Sequence, residues 1–322
     1  MQKKVLVAAR SFARSPEAKS VLESQGYELI LNTLDRPLEE AELLPLVKGA
    51  DALVAGNDAV TAAVIAAGCP TVKIIAKHGV GYNNIDVAAA ARHNVAVTIT
   101  PGSNSKSVAD LTLGLMLAVA RRIPQMDHSM RAGSWGRITG NELGGKTLGI
   151  VGMGNIGGEV AKRAFGFDMK IVAFDVYPRQ EFEQNYGVSY LPLAEVIARA
   201  DFLSLHAPAL PQTVGMINKD SLRTMKNTAY LINTARGDLI VEEDLYAALT
   251  GGIIAGAALD AFIHEPLHDS PLFGLNNVVL TPHAGANTYE AVVRTGVMAA
   301  EEVVRVLSGL EPRYAVSPSG KK

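Results

Sequence analysis

Short apolar runs alternate with stretches of helical periodicity along the whole chain of 322 residues. The apolar runs are rich in Val, Ile, Leu and Ala, and helix signals lie between them, such as Ser15 as N-cap, Pro16 in the first turn and Gly26 at the end. This alternation predicts a parallel α/β architecture. Five strands are expected in the first hundred residues, at 4–9, 27–32, 51–56, 72–78 and 95–100.

A second series of six apolar runs begins after Lys146. Strands are expected there at 147–153, 170–176, 201–208, 229–235, 254–261 and 277–283. Six such strands separated by helices match the doubly wound dinucleotide-binding fold. Two long helical segments, 103–121 and 286–307, are expected to be the crossovers between two domains.

The sequence therefore predicts an α/β protein of two domains. A Rossmann-type doubly wound parallel sheet, at 101–286, is inserted into a smaller, flavodoxin-like α/β domain. The smaller domain is discontinuous and comprises 1–100 and 287–322.

Composition and charge exclude several classes of protein. Hydrophobic residues make up 48% and charged residues 19%, the net charge is -2, and no dense Lys or Arg cluster suggests a nucleic-acid partner. The one cysteine, Cys69, excludes an intramolecular disulfide and fits a reducing compartment. The N-terminal apolar run is too short for a signal peptide, and no apolar segment reaches membrane-spanning length. We expect a cytoplasmic protein with no membrane partner.

The stretch "KTLGIVGMGNIGGEV" carries a G-x-G-x-x-G pattern between a predicted strand and a predicted helix. The first glycine permits a tight turn, the second lets a pyrophosphate approach the backbone, and the third lets the helix pack on the strand. Free N–H groups at the helix start then bind the phosphates. The residues expected to bind the cofactor here are Gly152, Gly154, Asn155, Ile156 and Gly157.

Asp175 decides between possible ligands of this loop. It ends the next predicted strand, 23 residues after Gly152, where a carboxylate accepts hydrogen bonds from the adenosine ribose and repels a 2′-phosphate. The alternatives are a turn without a ligand and a methyltransferase that binds S-adenosylmethionine. The pattern favours NAD as the cofactor.

Three side chains after predicted strands supply what a 2-hydroxyacid dehydrogenase needs: Arg236, Glu265 and His283. Arg grips a carboxylate with a planar fork, and His exchanges a proton near neutrality. A neighbouring carboxylate orients a histidine and favours its charged form. Each residue alone is ambiguous, and we expect the nearby His264 and His268 to be solvated or structural residues.

Together these segments resemble the D-isomer-specific 2-hydroxyacid dehydrogenase family over nearly the whole chain. The matching stretches are "HGVGYNNID", "GIVGMGNIG", "LINTARG", "LDAFIHEP" and "TPHAGA". The resemblance implies that Arg236 orients the substrate, that His283 is the acid/base and that Glu265 pairs with it. It also places Thr234 and Asp260 at the cofactor.

The resemblance further implies that backbone N–H groups of one N-terminal loop close over the substrate carboxylate. The residues assigned to this loop are Lys77, His78, Gly79, Val80 and Gly81. Asn104 falls in the hinge segment of the family and is assigned to the substrate. The family usually has Glu where this chain has Asp110.

The phosphoglycerate dehydrogenase branch is the most similar one, especially over "GSWGRITGNELGGKTLGIVGMGNIG". We expect a short form of that branch, without a regulatory C-terminal domain. That branch places Arg residues in the substrate domain. Here 55–58 contains no Arg, Lys77 stands at another position where Arg is common, and Arg137 is retained. Oxidation of 3-phosphoglycerate and reduction of hydroxypyruvate or glyoxylate therefore both remain open.

Two further expectations concern partners. A binding protein of the same fold that senses NAD is an alternative to an enzyme, although neither a long interaction tail nor a peptide-docking surface is visible. The segment 111–135 has the character of an exposed arm and predicts a homodimer through the nucleotide domain. No metal is expected, because no His, Cys, Asp and Glu cluster has metal-ligand spacing.

Overall fold

The computed structural model describes residues 2–34 and 36–318. The chain divides into two compact units, of which unit 1 comprises Met1–Asn104 and Asn287–Lys322, and unit 2 comprises Ser105–Ala286. The last four positions of the predicted discontinuous domain lie outside the described residues. Both units are parallel α/β structures, which confirms the predicted fold class.

Unit 1 contains one five-stranded parallel sheet in the order β2-β1-β3-β4-β5. This is the strand order of the flavodoxin-like fold. All five strands lie within the predicted apolar runs. Their bounds are Lys4–Val7 (β1), Glu28–Leu31 (β2), Ala52–Ala55 (β3), Ile74–Lys77 (β4) and Ala96–Thr98 (β5).

Helices cover both faces of this sheet, so each face has its own apolar core. One core includes Leu43, Val64 and Ala89 from three helices, and the other includes Phe12, Leu22 and Val303. The helices are Arg10–Ala13 (α1), Pro16–Glu23 (α2), Glu40–Leu46 (α3), Ala62–Gly68 (α4), Val87–Arg92 (α5) and, from the end of the chain, Tyr289–Leu307 (α13).

Local capping explains where two of these helices begin. The Ser15 hydroxyl accepts a hydrogen bond from the N–H of Ala18 at 3.2 Å, as its N-cap position predicts. Thr288 caps α13 by accepting from the N–H of Ala291 at 3.1 Å. The helix therefore starts later than the predicted position 286.

Unit 2 contains a seven-stranded parallel sheet in the order β12-β11-β10-β9-β6-β7-β8. This order is that of the Rossmann fold with one more strand at the edge. The strand beyond the Rossmann order is β12, at the edge next to β11. Six strands were predicted, and the one that was not predicted is β8, which has only two residues and leaves no periodic signal. The bounds are Thr147–Val151 (β6), Lys170–Phe174 (β7), Ser189–Tyr190 (β8), Phe202–Leu205 (β9), Tyr230–Asn233 (β10), Gly256–Leu259 (β11) and Val278–Leu280 (β12).

The helices of unit 2 also lie on both faces of the sheet. One core includes Met116 and Val160 from the crossover and nucleotide-loop helices, and the other includes Val196, Leu222 and Leu245. The helices are Ser105–Ala120 (α6), Ile123–Arg131 (α7), Asn155–Phe165 (α8), Gln180–Tyr186 (α9), Leu193–Arg199 (α10), Lys219–Thr224 (α11) and Glu242–Thr250 (α12). In the part of the chain that the structure describes, no helix combines the length and apolarity needed to span a bilayer.

Candidate active site

The glycine-rich turn between β6 and α8 needs each of its three glycines for a different reason. Gly152 has a φ of 97°, and a Cβ there would lie 2.7 Å from backbone atoms of His206 and Ala207. A Cβ on Gly157 would overlap the carbonyl oxygen of Gly152. A Cβ on Gly154, by contrast, would meet no described atom within 4 Å. Open space at the second glycine fits a ligand that approaches the backbone there.

The start of α8 offers the anion-binding features of a nucleotide site. Gly154 is the N-cap and carries no side chain, so the first N–H groups of the helix, at Asn155 and Ile156, are not covered by a capping side chain. The Asp175 carboxylate follows β7 and accepts hydrogen bonds from the N–H groups of Met153 at 2.6 Å and Tyr177 at 2.8 Å. These residues fit a dinucleotide, with phosphates at α8 and a ribose at Asp175.

Of the three side chains predicted to carry the chemistry, Glu265 and His283 are hydrogen-bonded to each other. Nδ1 of His283 lies 2.7 Å and 2.9 Å from the two carboxylate oxygens of Glu265. The N–H of Phe262 donates to the same carboxylate at 3.0 Å. Both paired side chains remain partly open to solvent, with exposed fractions of 44% and 34%. His264 and His268 are exposed, as expected of solvated residues.

The electrostatics of Glu265 reflect this pair. Burial raises the pKa of its carboxyl, but the hydrogen bonds from His283 and Phe262 and the charges of His283 and Arg236 outweigh burial and lower it. The carboxylate therefore stays ionised and faces Nδ1 of the imidazole. His283 itself has a φ of 50°, a left-handed conformation that few side chains other than glycine and asparagine adopt.

Arg236 follows β10 and is partly buried, with one guanidinium nitrogen donating to the carbonyl of Ala235 at 2.7 Å. The Asn233 side chain donates to the carbonyl of Arg236 at 2.8 Å and fixes the turn. The next residue, Gly237, packs so closely against Phe262 that a Cβ would overlap its backbone. This glycine, which sequence reasoning did not single out, lets the Arg236 loop and the Glu265 loop meet.

Asp260 holds the segment that carries His283. Its buried carboxylate accepts from the Thr281 hydroxyl at 2.6 Å and from the N–H groups of Ala284 and Gly285 at 2.8 Å and 2.9 Å. Sequence reasoning assigned Asp260 to the cofactor only. The structure adds a positioning contact that spacing along the chain could not indicate, because its partners lie more than twenty residues away.

The Thr234 side chain faces the interior of unit 2. Its hydroxyl lies 2.9 Å from that of Thr112 in α6, which in turn donates to the carbonyl of Val108 at 2.8 Å. Thr234 is buried at the end of β10. A contact between this residue and a cofactor would therefore involve its backbone.

In unit 1, the side chains of the last residue of β4 and of the first residue after it turn inward. The Lys77 ammonium is buried and donates to the carbonyl of Gly56 and to the side chain of Asn84, the latter at 3.1 Å. The ring of His78 bonds to the Ser11 hydroxyl at 3.2 Å, and burial lowers its pKa to about 4. These two side chains face the interior of unit 1, so the backbone is the part of the loop that can receive a ligand.

The backbone of the same loop offers hydrogen-bond donors. Gly79 has a φ of 143° and bonds to Thr100 through its N–H and its carbonyl. Within residues 2–34 and 36–318, the N–H groups of Val80 and Gly81 have no acceptor. Two adjacent free N–H groups are suited to a carboxylate.

Two other predicted residues lie apart from these clusters. Asn104 is the last residue of the first segment of unit 1, and its buried Oδ1 has no hydrogen-bond partner among the described residues. Arg137 lies in an exposed, irregular segment after α7. Asp110, in α6, forms an ion pair with Arg163 of α8 at 2.5 Å, so the shorter acid still reaches a partner.

Comparison with known proteins identifies the family. The family model described as "D-isomer specific 2-hydroxyacid dehydrogenase, NAD binding domain" matches residues 113–285. The chain is 42% identical over 301 residues to a glyoxylate reductase of Korarchaeum cryptofilum, covering 91% of this chain and 90% of that protein. It is 44% identical over 275 residues to a D-3-phosphoglycerate dehydrogenase of Methanocaldococcus jannaschii, covering 84% of this chain but 52% of that protein.

A solved structure agrees with these sequence matches. A glyoxylate reductase from Paecilomyes thermophila superimposes with a TM-score of 0.86 at 29% identity, covering 99% of both chains. The chain thus spans nearly the full length of the matched reductases but only about half of the matched phosphoglycerate dehydrogenases. The predicted family and the predicted NAD cofactor are confirmed. This chain belongs to the D-isomer specific 2-hydroxyacid dehydrogenase family, NAD-dependent oxidoreductases that interconvert 2-hydroxy acids and 2-keto acids.

Proposed function

We propose that this enzyme reduces a small, unphosphorylated 2-keto acid, such as glyoxylate or hydroxypyruvate, to the D-2-hydroxy acid with NADH. The observation that carries the proposal is the inward orientation of Lys77, whose ammonium donates to Gly56 and Asn84. A buried ammonium that is already hydrogen-bonded is a poor ligand for a substrate phosphate. The neighbouring segment 55–58 contains no Arg to replace it.

The catalytic roles follow from the His283 pair. Because Nδ1 lies against Glu265, Nε2 is the nitrogen left to exchange a proton with the substrate. In the reducing direction His283 donates this proton to the ketone oxygen. Bound NADH would supply the hydride for the keto carbon. Arg236 binds the substrate carboxylate and orients the carbonyl, and Glu265 stabilises the charged form of His283.

The remaining residues bind and orient. Unit 2 is the NAD-binding domain, and unit 1 is the substrate-binding domain. The N–H groups of Val80 and Gly81 bind the substrate carboxylate, while Lys77 and His78 hold the loop from inside. Asn104, with its unpartnered Oδ1, completes the substrate site.

The cofactor residues are those of the glycine turn and the strand ends. The N–H groups of Asn155 and Ile156 bind the pyrophosphate, and Asp175 binds the adenosine ribose. Thr234 contributes its backbone. Asp260 would hold the nicotinamide end of the cofactor, and it also holds the His283 segment.

The substrate preference is tested with the purified enzyme and NADH. We expect kcat/KM for glyoxylate or hydroxypyruvate to exceed kcat/KM for 3-phosphohydroxypyruvate, measured by NADH absorbance. The opposite order would contradict the proposal. Tight NADH binding without turnover of any 2-keto acid would instead support an NAD-sensing binding protein.

A second candidate function is that of a 3-phosphoglycerate dehydrogenase, the name that several relatives carry. The exposed Arg137 favours this candidate, because its guanidinium is open to a substrate phosphate. If Arg137 recognises a phosphate, Arg137→Ala should lower kcat/KM for 3-phosphohydroxypyruvate and spare glyoxylate. Arg131→Ala is the matched control, since Arg131 is also exposed but pairs with Asp127. Equal effects of both variants on both substrates would exclude this candidate.

We also propose a cytoplasmic homodimer, with the cytoplasm inferred from the NAD(H) requirement and the single cysteine. Helix α7 has no buried residue, and large apolar side chains are exposed on it and after it: Ile123, Met130, Trp135 and Ile138. Such a patch is typical of a protein interface. Light scattering at micromolar concentration should give the mass of a dimer, and Trp135→Asp should shift the mass toward a monomer.

A further inference from the structure

Thr100 forms hydrogen bonds with both the N–H and the carbonyl of Gly79. The Gly79 N–H donates to the Thr100 hydroxyl at 3.1 Å, and the Gly79 carbonyl accepts from the Thr100 N–H at 3.0 Å and from its hydroxyl at 3.1 Å. Thr100 is 1% exposed. A glycine at φ 143° has wide conformational freedom, so these bonds select one orientation of the loop.

The Thr100 hydroxyl belongs to a longer chain of buried hydroxyl groups. The Ser103 hydroxyl donates to the carbonyl of Thr100 at 2.9 Å and lies 3.2 Å from the Thr100 hydroxyl. It accepts in turn from the Thr295 hydroxyl at 2.9 Å, while Arg294 donates to the carbonyl of Ser103 at 2.9 Å. Ser103 and Thr295 are each 4% exposed. The chain joins the loop to α13.

This hydroxyl chain lies next to both places where the polypeptide passes between the units. Ser103 precedes Asn104, at which the first segment of unit 1 ends, and Thr295 lies in α13, shortly after the second segment begins at Asn287. The loop and the two crossover segments are therefore connected within unit 1. Buried networks in which every hydroxyl has a partner fix one local arrangement.

We propose that Thr100 is a positioning residue for substrate binding. Its hydrogen bonds to Gly79 orient the free N–H groups of Val80 and Gly81 toward the substrate carboxylate. Ser103 and Thr295 hold the Thr100 side chain in place. The inference rests on the proposed function of this loop. Thr100 acts through Gly79 and touches neither substrate nor cofactor.

Thr100→Val tests the proposal, because it removes the hydroxyl and keeps the shape of the side chain. The variant removes the two hydrogen bonds that the Thr100 hydroxyl makes with Gly79. The Gly79 N–H keeps only the Lys77 carbonyl at 3.0 Å, and the Gly79 carbonyl keeps only the Thr100 N–H at 3.0 Å, so the loop is held less firmly in its orientation. We expect KM for the keto acid to rise about tenfold. KM for NADH should stay within about twofold, because the cofactor residues belong to unit 2.

Two variants serve as controls. Thr100→Ser restores the hydroxyl and should return KM for the keto acid to within about twofold of the wild type. Thr98→Val removes another buried threonine hydroxyl, two residues before Thr100, that does not belong to the hydrogen-bonded chain of hydroxyl groups. This variant should leave the KM values for the keto acid and for NADH unchanged. If Thr100→Val does not fold, Ser103→Ala replaces it, with an expected rise in KM for the keto acid of about threefold.

An unchanged KM in Thr100→Val, an equal effect of Thr98→Val or a failure of Thr100→Ser to rescue would each overturn the proposal. A second measurement separates it from the proposed function. Hydrogen exchange of the amides at 79–81 should be faster in Thr100→Val than in the wild type without any substrate. If the wild type reduces no 2-keto acid, the proposed function fails; faster exchange then still supports the anchoring, and unchanged exchange overturns it.

Discussion

Glu265→Gln tests the pairing on which the proposed proton transfer depends. The glutamine oxygen still accepts from the Phe262 N–H, which Glu265 binds at 3.0 Å, so the loop keeps its anchor. The imidazolium of His283 loses its negatively charged partner, which lies 2.7 Å away in the wild type. Reductive activity needs the protonated histidine, so the alkaline limit of activity should move to lower pH.

The size of the effect follows from the geometry and the exposure of the pair. A hydrogen bond to a charged group contributes about 1.5–3 kcal/mol when it is buried. Here 44% and 34% of the two side chains are exposed, so solvent screening reduces the expected contribution to about 1 kcal/mol.

The assay is kcat/KM for the preferred keto acid across the pH range with saturating NADH. Asp269→Asn is the matched control, because it removes an exposed carboxylate from the same segment without touching His283. The control should keep the wild-type profile. If Glu265→Gln keeps it too, the carboxylate does not stabilise the protonated histidine, and the pairing has no part in proton transfer.

Three further predictions follow from the same structure. His283→Ala should lower kcat by about 100-fold or more, because the proton donor is lost; His283→Asn, which tolerates the φ of 50°, shows whether strain alone accounts for the loss. Asp175→Ala should narrow the preference for NADH over NADPH, and equal kcat/KM for both in the wild type would refute its role. Burial lowers the pKa of His78 to about 4 and the pKa of His206 to about 3. As pH falls from 7 to 5, these histidines take up a proton in the unfolded state but not in the folded one, so each histidine should lower the free energy of unfolding by about 2 kcal/mol. The loss begins as pH falls through the ordinary value of 6.5, and urea denaturation that shows no such decrease would contradict it.

The sequence was informative wherever one local signal determined the structure. Apolar runs identified eleven of the twelve strands that the described residues form, because buried parallel strands are continuous in hydrophobicity. The two-residue β8 has no such run and was missed. Capping residues identified the helix start at Ser15. The start of α13 was predicted from its apolar pattern at 286, before the Thr288 cap that the structure shows, because periodicity alone does not locate a cap.

The candidate site was predicted by type and order but not by orientation. Spacing placed Glu265 and His283 after neighbouring strands, and they do meet. The same reasoning could not tell that Lys77 and His78 point inward, because their partners Asn84 and Ser11 lie on other elements. Contacts between distant loops depend on tertiary packing, which no single stretch encodes.

The contact between Asp175 and the glycine turn has a consequence for anyone redesigning the cofactor preference. Asp175 accepts a hydrogen bond from the N–H of Met153, inside the turn itself. The acid proposed to discriminate against a 2′-phosphate therefore also holds the turn that is proposed to bind the pyrophosphate. Replacing Asp175 with a neutral apolar residue would therefore remove a hydrogen bond that stabilises the turn, and would change the cofactor selectivity at the same time. A redesign for NADPH should keep an acceptor at position 175, as Asn or Ser does, and introduce the positive charge at a neighbouring position such as Val176 or Tyr177, which are 73% and 81% exposed.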